Sequence, residues 1–277
     1  MNENYSVLMS VYIKENPEYF KEAVDSILNQ TVKTNDFVIV CDGPLNQGLN
    51  KVIADYVTTY SGLFNVYRLE HNMGLAKALN HGILQCKNNI IARMDSDDIS
   101  APDRMEKQLR AMEEQGVDIV GSNIIEFTES IDNTKAERVV PETWQEMYDF
   151  AAKRSPFNHP SVMYKKEAVV DSGLYEDYRY FEDYNLWVTM FCKGYKGYNV
   201  QENLVYMRAG EDMYKRRGGI SYVGCIFRFQ YHLRRLGFIG TLSFLTSAVG
   251  RSVVSLVPNS VRVLIYKKIL RLSLIHI

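Results

Sequence analysis

Cysteine is scarce in this chain. Its 277 residues include four, Cys41, Cys86, Cys192 and Cys225, far apart and with no CxxC pair. This argues against a disulfide framework and for a reducing compartment. Long apolar runs are also lacking. In the C-terminal part the longest uncharged run is Leu236–Gly250, 15 residues, short of the roughly 20 that a helix needs to span a bilayer. The opening MNENYSVLMS lacks the basic start and extended apolar stretch of a secretory signal. Acidic residues are absent after Asp212. From Met213 onward the chain carries 11 basic residues and no acidic one, whereas the first 212 residues hold 21 basic and 33 acidic. The overall charge of −1 hides this asymmetry, which implies that the tail meets something anionic.

What is present is enough hydrophobic residue, 46%, for a real core in one domain or one domain plus an appendage. Apolar runs at 5–12, 37–43, 65–70, 89–95 and 117–127 read as strands. Amphipathic stretches at 18–29, 46–59, 74–85 and 102–115 read as helices between them. This alternation predicts an α/β fold with a mostly parallel sheet flanked by helices. In such sheets ligands bind beyond the carboxyl ends of the strands. Asp42 and Asp95 fall at two such ends, although Asp is also an ordinary turn residue. A helix is expected in the second half of RYFEDYNLWVTMF, with Glu182 and Asp183 in or just before its first turn and Trp187 and Phe191 in the core.

ARMDSDD, residues 92–98, places three carboxylates within four positions next to a buried strand. Magnesium and manganese favour oxygen ligands and are often held by one or two carboxylates plus substrate phosphates. Asp95 and Asp97 are the candidate pair. Asp98 and Ser100, just before Ala101-Pro102, also suit a helix start.

Taken in order, SVLMSVY, VIVCDG, HNMGLAKALNHG, ARMDSDD with Pro102 and Arg104, NHPSVMYKK and YFEDYNLW resemble the family 2 glycosyltransferases, over roughly residues 4–210. The resemblance is to the branch that builds bacterial capsular, exopolysaccharide or O-antigen repeat units. It implies the GT-A nucleotide-diphospho-sugar transferase fold, with a catalytic domain at 1–217; it says little beyond 218, and the basic helical tail at 218–277 is read from the residues themselves. Within the domain, residues 1–127 form the nucleotide-binding part and 128–217 the acceptor side. It also implies inverting transfer from a nucleoside-diphosphate sugar, by family frequency a UDP-sugar, to a saccharide or polyprenyl-diphosphate-linked acceptor. A non-catalytic nucleotide-sugar-binding or scaffold protein is the alternative.

The resemblance assigns residues as well. Ser10, Val11 and Tyr12 line the nucleotide pocket and Asp42 recognises the base. Asp95, Ser96 and Asp97 form the DxD motif, with Asp97 and Asp95 holding Mn2+ or Mg2+. Arg93 and Lys77 belong to the nucleotide-sugar site, and Asp183 is the general base. His159, Glu182 and Arg208 belong to the acceptor side. For His159 the residues alone suggest a packed loop histidine, and for Asp183 a helix cap. One departure is that Ala78-Leu79-Asn80 stands where many members have Ala-Arg-Asn. Lys77, Arg93 or another residue would then hold the phosphate. A second departure is that YMRAGEDMYKRRGG lacks the histidine often found after the arginine at the Arg208 position, where Lys215, Arg216 and Arg217 would instead meet the leaving diphosphate.

Beyond 218 the arginines interleave with Phe227, Phe229, Tyr231, Phe238 and Phe244. That pattern suits an anionic membrane surface and, with the resemblance, a cytoplasmic protein peripheral at the inner face of a bacterial plasma membrane. A helical pair covering the domain and forming a homodimer is a second reading, and a re-entrant hairpin a third. Nucleic acid is disfavoured, because the aromatics lie among aliphatic runs.

Overall fold

The computed structural model describes residues 4–209, 219–258 and Val261. Its first half repeats a strand and a helix three times. The strands are β1 (Tyr5–Val11), β2 (Asp36–Cys41), β3 (Phe64–Arg68) and β4 (Ile90–Met94), with α1 (Pro17–Leu28), α2 (Gln47–Thr59) and α3 (Leu75–Gln85) between them. β2 is buried at every position and β1 at all but one, so their near-continuous apolar sequences match burial on both faces. α1 starts at Asn16, whose side chain accepts from the Glu18 N–H, followed by Pro17 in the first turn. It buries Phe20, Ala23, Val24 and Ile27, an i, i+3, i+4, i+7 stripe. Burying Phe20, Val24 and Ile27 contributes about 1.5–3 kcal/mol each.

The second half is less regular. β5 (Ile99–Ser100) and α4 (Arg104–Gln115) precede β6 (Ile119–Phe127), β7 (Thr134–Arg138), α5 (Trp144–Ala151), β8 (Met163–Lys165) and α6 (Lys166–Asp171). α7 (Glu182–Cys192), β9 (Gly197–Arg208), α8 (Ile220–Arg235) and α9 (Thr241–Leu256) complete the described elements.

The sheet order is β3-β2-β1-β4-β8-β6-β9-β5, with β7 on β6. This corrects the expectation of a mostly parallel sheet. β1, β2, β3 and β4 pair in parallel, as do β6 and β9. The pairs β4–β8, β6–β8, β6–β7 and β5–β9 are antiparallel. The sheet is mixed because β7 returns beside β6 after a short connection, and β8 and β5 pair antiparallel with strands distant in sequence.

Alternate β1 residues point into different cores. Val7 and Met9 join α1, α2 and α4 on one face, and Leu8 joins α3 and α7 on the other. α3 lies so close to the sheet that a Cβ at Gly82 would sit 2.2 Å from Leu8 Cδ1. The described part of the tail shares the Leu8 core through Tyr222, Ile226, Phe229 and Leu233. Phe229 stacks on Phe181, with ring centroids 4.7 Å apart and planes 5° apart. The whole is one α/β unit with a helical C-terminal region. Among the described residues no helix is long and apolar enough to cross a membrane.

Candidate active site

Parallel register brings three strand ends together. Met9 pairs with Met94 and Val11 with Cys41. Tyr12, Asp42 and Asp95 therefore each lie one residue past a carboxyl end, on adjacent strands. Tyr12 is exposed, Ser10 half-buried and Val11 buried. Asp42 is buried, and its two carboxylate oxygens accept from the N–H groups of Met73 (2.7 Å) and Gly74 (3.0 Å). It thereby fixes the entry into α3. Gly43 follows at φ +87°, where a Cβ would fall 2.7 Å from the Asn72 nitrogen, so this turn requires glycine. Lys77, in the first turns of α3, is exposed.

The acidic loop runs from Asp95 to Asp98, between β4 and β5. Arg93, on β4, is 1% exposed and donates through Nη1 to Asp95 (2.6 Å) and through Nη2 to the other oxygen of the same carboxylate. Burial acts against the guanidinium charge, but Asp95 and Tyr175 outweigh it and raise its pKa. The Ser96 hydroxyl donates to Glu15 (2.7 Å). Asp97 is half-buried. Burial, then the charges of Asp95 and Glu15, push its carboxyl up to about 7. Buried Asp98 accepts the Arg208 N–H (2.8 Å), while its Oδ2 has no hydrogen-bond partner. Its pKa is raised well above the usual range by burial, then by Asp95 and Asp97.

Arg208 holds this loop from behind. Its Nε donates to the Asp97 carbonyl (3.1 Å) and its Nη2 pairs with Glu22 (2.6 Å). Its guanidinium lies 3.7 Å from the Tyr19 ring centroid and 4.5 Å from that of Phe127. Arg208 thus sits against the acidic loop and not in the cavity that holds His159 and Asp183. Arg104 is fully buried beneath the loop. It donates to the Arg93 carbonyl (2.8 Å) and to Gln108 (2.9 Å), and burial, then Arg93, lower its pKa to about 9.

That cavity, about 650 Å³, opens among α5, α7, α8 and α9. Asp183, half-buried in the first turn of α7, lines it beside His159. His159 Nε2 shares a hydrogen bond with the Tyr175 hydroxyl (2.9 Å), and its ring packs against Trp187. Burial, then the charge of Arg93, hold its pKa well below the usual value, so the ring is neutral. Burial raises the Tyr175 pKa, so the hydroxyl that meets His159 is neutral. Asn80 clamps the Tyr175 backbone with two 2.8 Å hydrogen bonds. Leu79, at the departing position of the Ala-Leu-Asn stretch, is buried in the core. Glu182 has one buried oxygen without a partner, and burial, then Asp183, raise its pKa to about 7. Lys215, Arg216 and Arg217 lie outside the described residues.

The structure brings Ser10, Val11, Tyr12, Asp42, Arg93, Asp95, Ser96 and Asp97 to one sheet edge, with His159 and Asp183 in the adjoining cavity. Sequence reasoning misses Glu15 and Tyr175. Glu15 carries one signal, an acid just beyond the first strand's carboxyl end; Tyr175 carries none. The charges of Asp95 and Glu15 both bear on Asp97, an all-oxygen surrounding of the kind hard divalent cations favour. Among the described residues no group of three or more His, Cys, Asp or Glu side chains is placed to hold a metal ion.

The profile of Glycosyl transferase family 2 matches residues 6–179. An uncharacterised glycosyltransferase of Haemophilus influenzae is 39% identical over 268 residues, covering 96% of this chain and 99% of that protein. The amylovoran biosynthesis glycosyltransferase AmsE of Erwinia amylovora is 36% identical over 271 residues, covering 95% and 98%. An Escherichia coli UDP-Gal:alpha-D-GlcNAc-diphosphoundecaprenol beta-1,3-galactosyltransferase is 38% identical over 268 residues, covering 96% of each. Two solved structures are similar in fold. Staphylococcus aureus TarS 1–349 with UDP-GlcNAc has a TM-score of 0.66 at 15% identity, covering 98% of this chain and 77% of that one. A Pyrobaculum calidifontis mannosyltransferase with GDP-Man and Mn2+ has 0.62 at 14%, covering 90% and 69%. The chain belongs to glycosyl transferase family 2 and is a glycosyltransferase using a nucleoside-diphosphate-sugar donor.

Proposed function

We propose that this chain is an inverting, divalent-metal-dependent transferase on a GT-A scaffold. It moves a sugar from a UDP-sugar to a polyprenyl-diphosphate-linked acceptor during assembly of a bacterial surface polysaccharide. One observation supports the reading: the same unit carries an acid-rich loop at the carboxyl edge of its sheet and a cavity lined by a carboxylate, Asp183. The acceptor class draws on the similar Escherichia coli enzyme, whose substrate is a diphosphoundecaprenol-linked sugar.

In this reading residues 1–127 hold the donor and 128–217 face the acceptor. Ser10, Val11, Tyr12 and Asp42 line the nucleoside site. Asp95 has both oxygens on Arg93, so Asp97 makes the direct contact with Mn2+ or Mg2+ and Asp95 supports it. The ion, when bound, stabilises charge on the departing diphosphate. Asp183 takes the proton of the attacking hydroxyl as the new bond forms, which requires an approach of about 2.6–3.2 Å in the ternary complex. Burial, then Asp183, raise the Glu182 pKa to about 7, so near neutral pH it is partly protonated and its repulsion of Asp183 is reduced. Neutral His159 offers a hydrogen bond to the acceptor side without adding charge.

The tail region docks on an anionic membrane surface at the cytoplasmic face. Leu242, Leu245, Val249, Val253 and Leu256 form an exposed stripe along α9, spaced as one helix face. Arg228, Arg234 and Arg235 on α8 provide the accompanying positive charge. Arg262, Lys267, Lys268 and Arg271, which complete the expected basic tail, lie outside the described residues.

The test is a screen of UDP-, GDP- and dTDP-sugars for hydrolysis with and without Mn2+, beside D95A/D97A. Metal-dependent release of one nucleotide, lost in the variant, is expected. Failure to bind any nucleotide by calorimetry would overturn the reading.

A further inference from the structure

We propose that Tyr175 is a positioning residue of the transfer: its hydroxyl fixes His159 with the ring proton on Nδ1, from which the ring donates to the acceptor oxygen beside Asp183. This rests on the transferase reading above and adds a residue that acts through His159. Tyr175 is 3% exposed, and its hydroxyl meets His159 Nε2 at 2.9 Å. A phenol is a stronger acid than a neutral imidazole, and an imidazole nitrogen is a stronger base than a phenol oxygen. The hydroxyl therefore donates, Nε2 accepts, and the proton of the neutral ring lies on Nδ1. Among the described residues no hydrogen bond takes Nδ1, and the ring lines the cavity together with Asp183.

Both members of the pair are anchored. The chain leaves α6 through Gly173 at φ +93° and Leu174 at φ +64°, and a left-handed leucine is a strained conformation. Tyr175 follows directly. Its N–H donates to Asn80 Oδ1 and its carbonyl accepts from Asn80 Nδ2, both at 2.8 Å. Asn80 lies on α3, whose entry Asp42 fixes. On the other side Asn158, next to His159, donates to the carbonyls of Ser122 (2.9 Å) and Arg138 (3.2 Å). Trp187 backs both rings, with its centroid 6.0 Å from that of His159 and 6.2 Å from that of Tyr175. A phenylalanine would fill the space of Tyr175 equally well. What the hydroxyl adds is its hold on the imidazole.

Nitrogen NMR of the full chain with isotopically labelled histidine tests the assignment, the His159 signals being identified by their loss in H159A. In the unsubstituted chain His159 is expected as one neutral tautomer, protonated on Nδ1. Y175F, which removes a single oxygen, is expected to populate both tautomers. The tautomer is read without any substrate. Y175F and H159A should each also lower nucleotide release, from the donor that the screen above selects, by about tenfold. The double variant should lose no more than H159A alone, because Tyr175 acts through His159. UDP affinity should stay within about twofold throughout. A proton on Nε2 in the unsubstituted chain would overturn the assignment. So would an unchanged tautomer or unchanged release in Y175F, or additive losses in the double variant. A parallel fall in UDP affinity would make Tyr175 a residue of the fold alone and overturn it as well. Failure of the underlying transferase reading is distinct: the unsubstituted chain then binds no nucleotide, whatever the tautomer of His159.

Discussion

The two halves of the sheet are built on different logic. From β1 to β4, the candidate site residues follow directly from strand ends, and neighbours in space share one register. From β6 onward the cavity is assembled from Arg138, His159, Asp183 and Arg251, which no local pattern links. A parallel αβ repeat fixes its edge by topology. An acceptor-side cavity depends on long-range packing, here of aromatic rings.

The comparison breaks most sharply at the two carboxylates. D183N is expected to lower kcat by about 10²–10⁴-fold with UDP affinity nearly unchanged, whereas D97N weakens metal-dependent UDP binding itself. Steady-state kinetics beside calorimetry separates them, and equal loss of UDP binding in both would erase the division between halves. Packing gives the next largest effect. Phe229 is fully buried against Phe181 and Tyr184, so F229A should cost about 3–5 kcal/mol and depress acceptor-dependent turnover more than donor binding. G82A tests the other half. Its Cβ meets Leu8 and Val40, at a cost of about 1–3 kcal/mol, and denaturant melts should show the loss.

The smallest effect is a pH dependence. Burial, then Asp183, raise the Glu182 pKa to about 7 from 4.5. The folded state therefore holds this proton more tightly than the unfolded chain. The resulting stability is full below about pH 4.5 and fades as pH rises through 7. E182Q removes the dependence, so its Tm should gain on that of the unsubstituted chain between pH 5 and pH 8, by about 1–3 kcal/mol in stability. An unchanged difference across that range would place the carboxylate in solvent.

Legibility followed the same division. β1 to β4 and α1 to α4 are readable because apolar runs alternate with amphipathic stretches; α1 begins one residue before the range read from the sequence. β7, with the sequence TKAER, and the three-residue β8 were missed. They are too short or too polar to carry a period, and they make the sheet mixed. β9 runs twelve residues but mixes polar and apolar positions, because it is buried only in part. Trp187 and Phe191 were expected in the core and are buried there. A helical pair covering the domain is one reading of the tail, but the contact it makes is not legible, since Phe229 and Phe181 are 48 positions apart and only the fold stacks them.

The Arg208 clamp has a thermodynamic consequence. It joins α1, β6 and both Asp97 and Asp98 through one guanidinium and one N–H. The backbone of the acidic loop is thereby ordered when the chain folds, not when a nucleotide arrives. Donor association then proceeds with little loss of loop entropy, and its affinity reflects contacts made to a surface already in place.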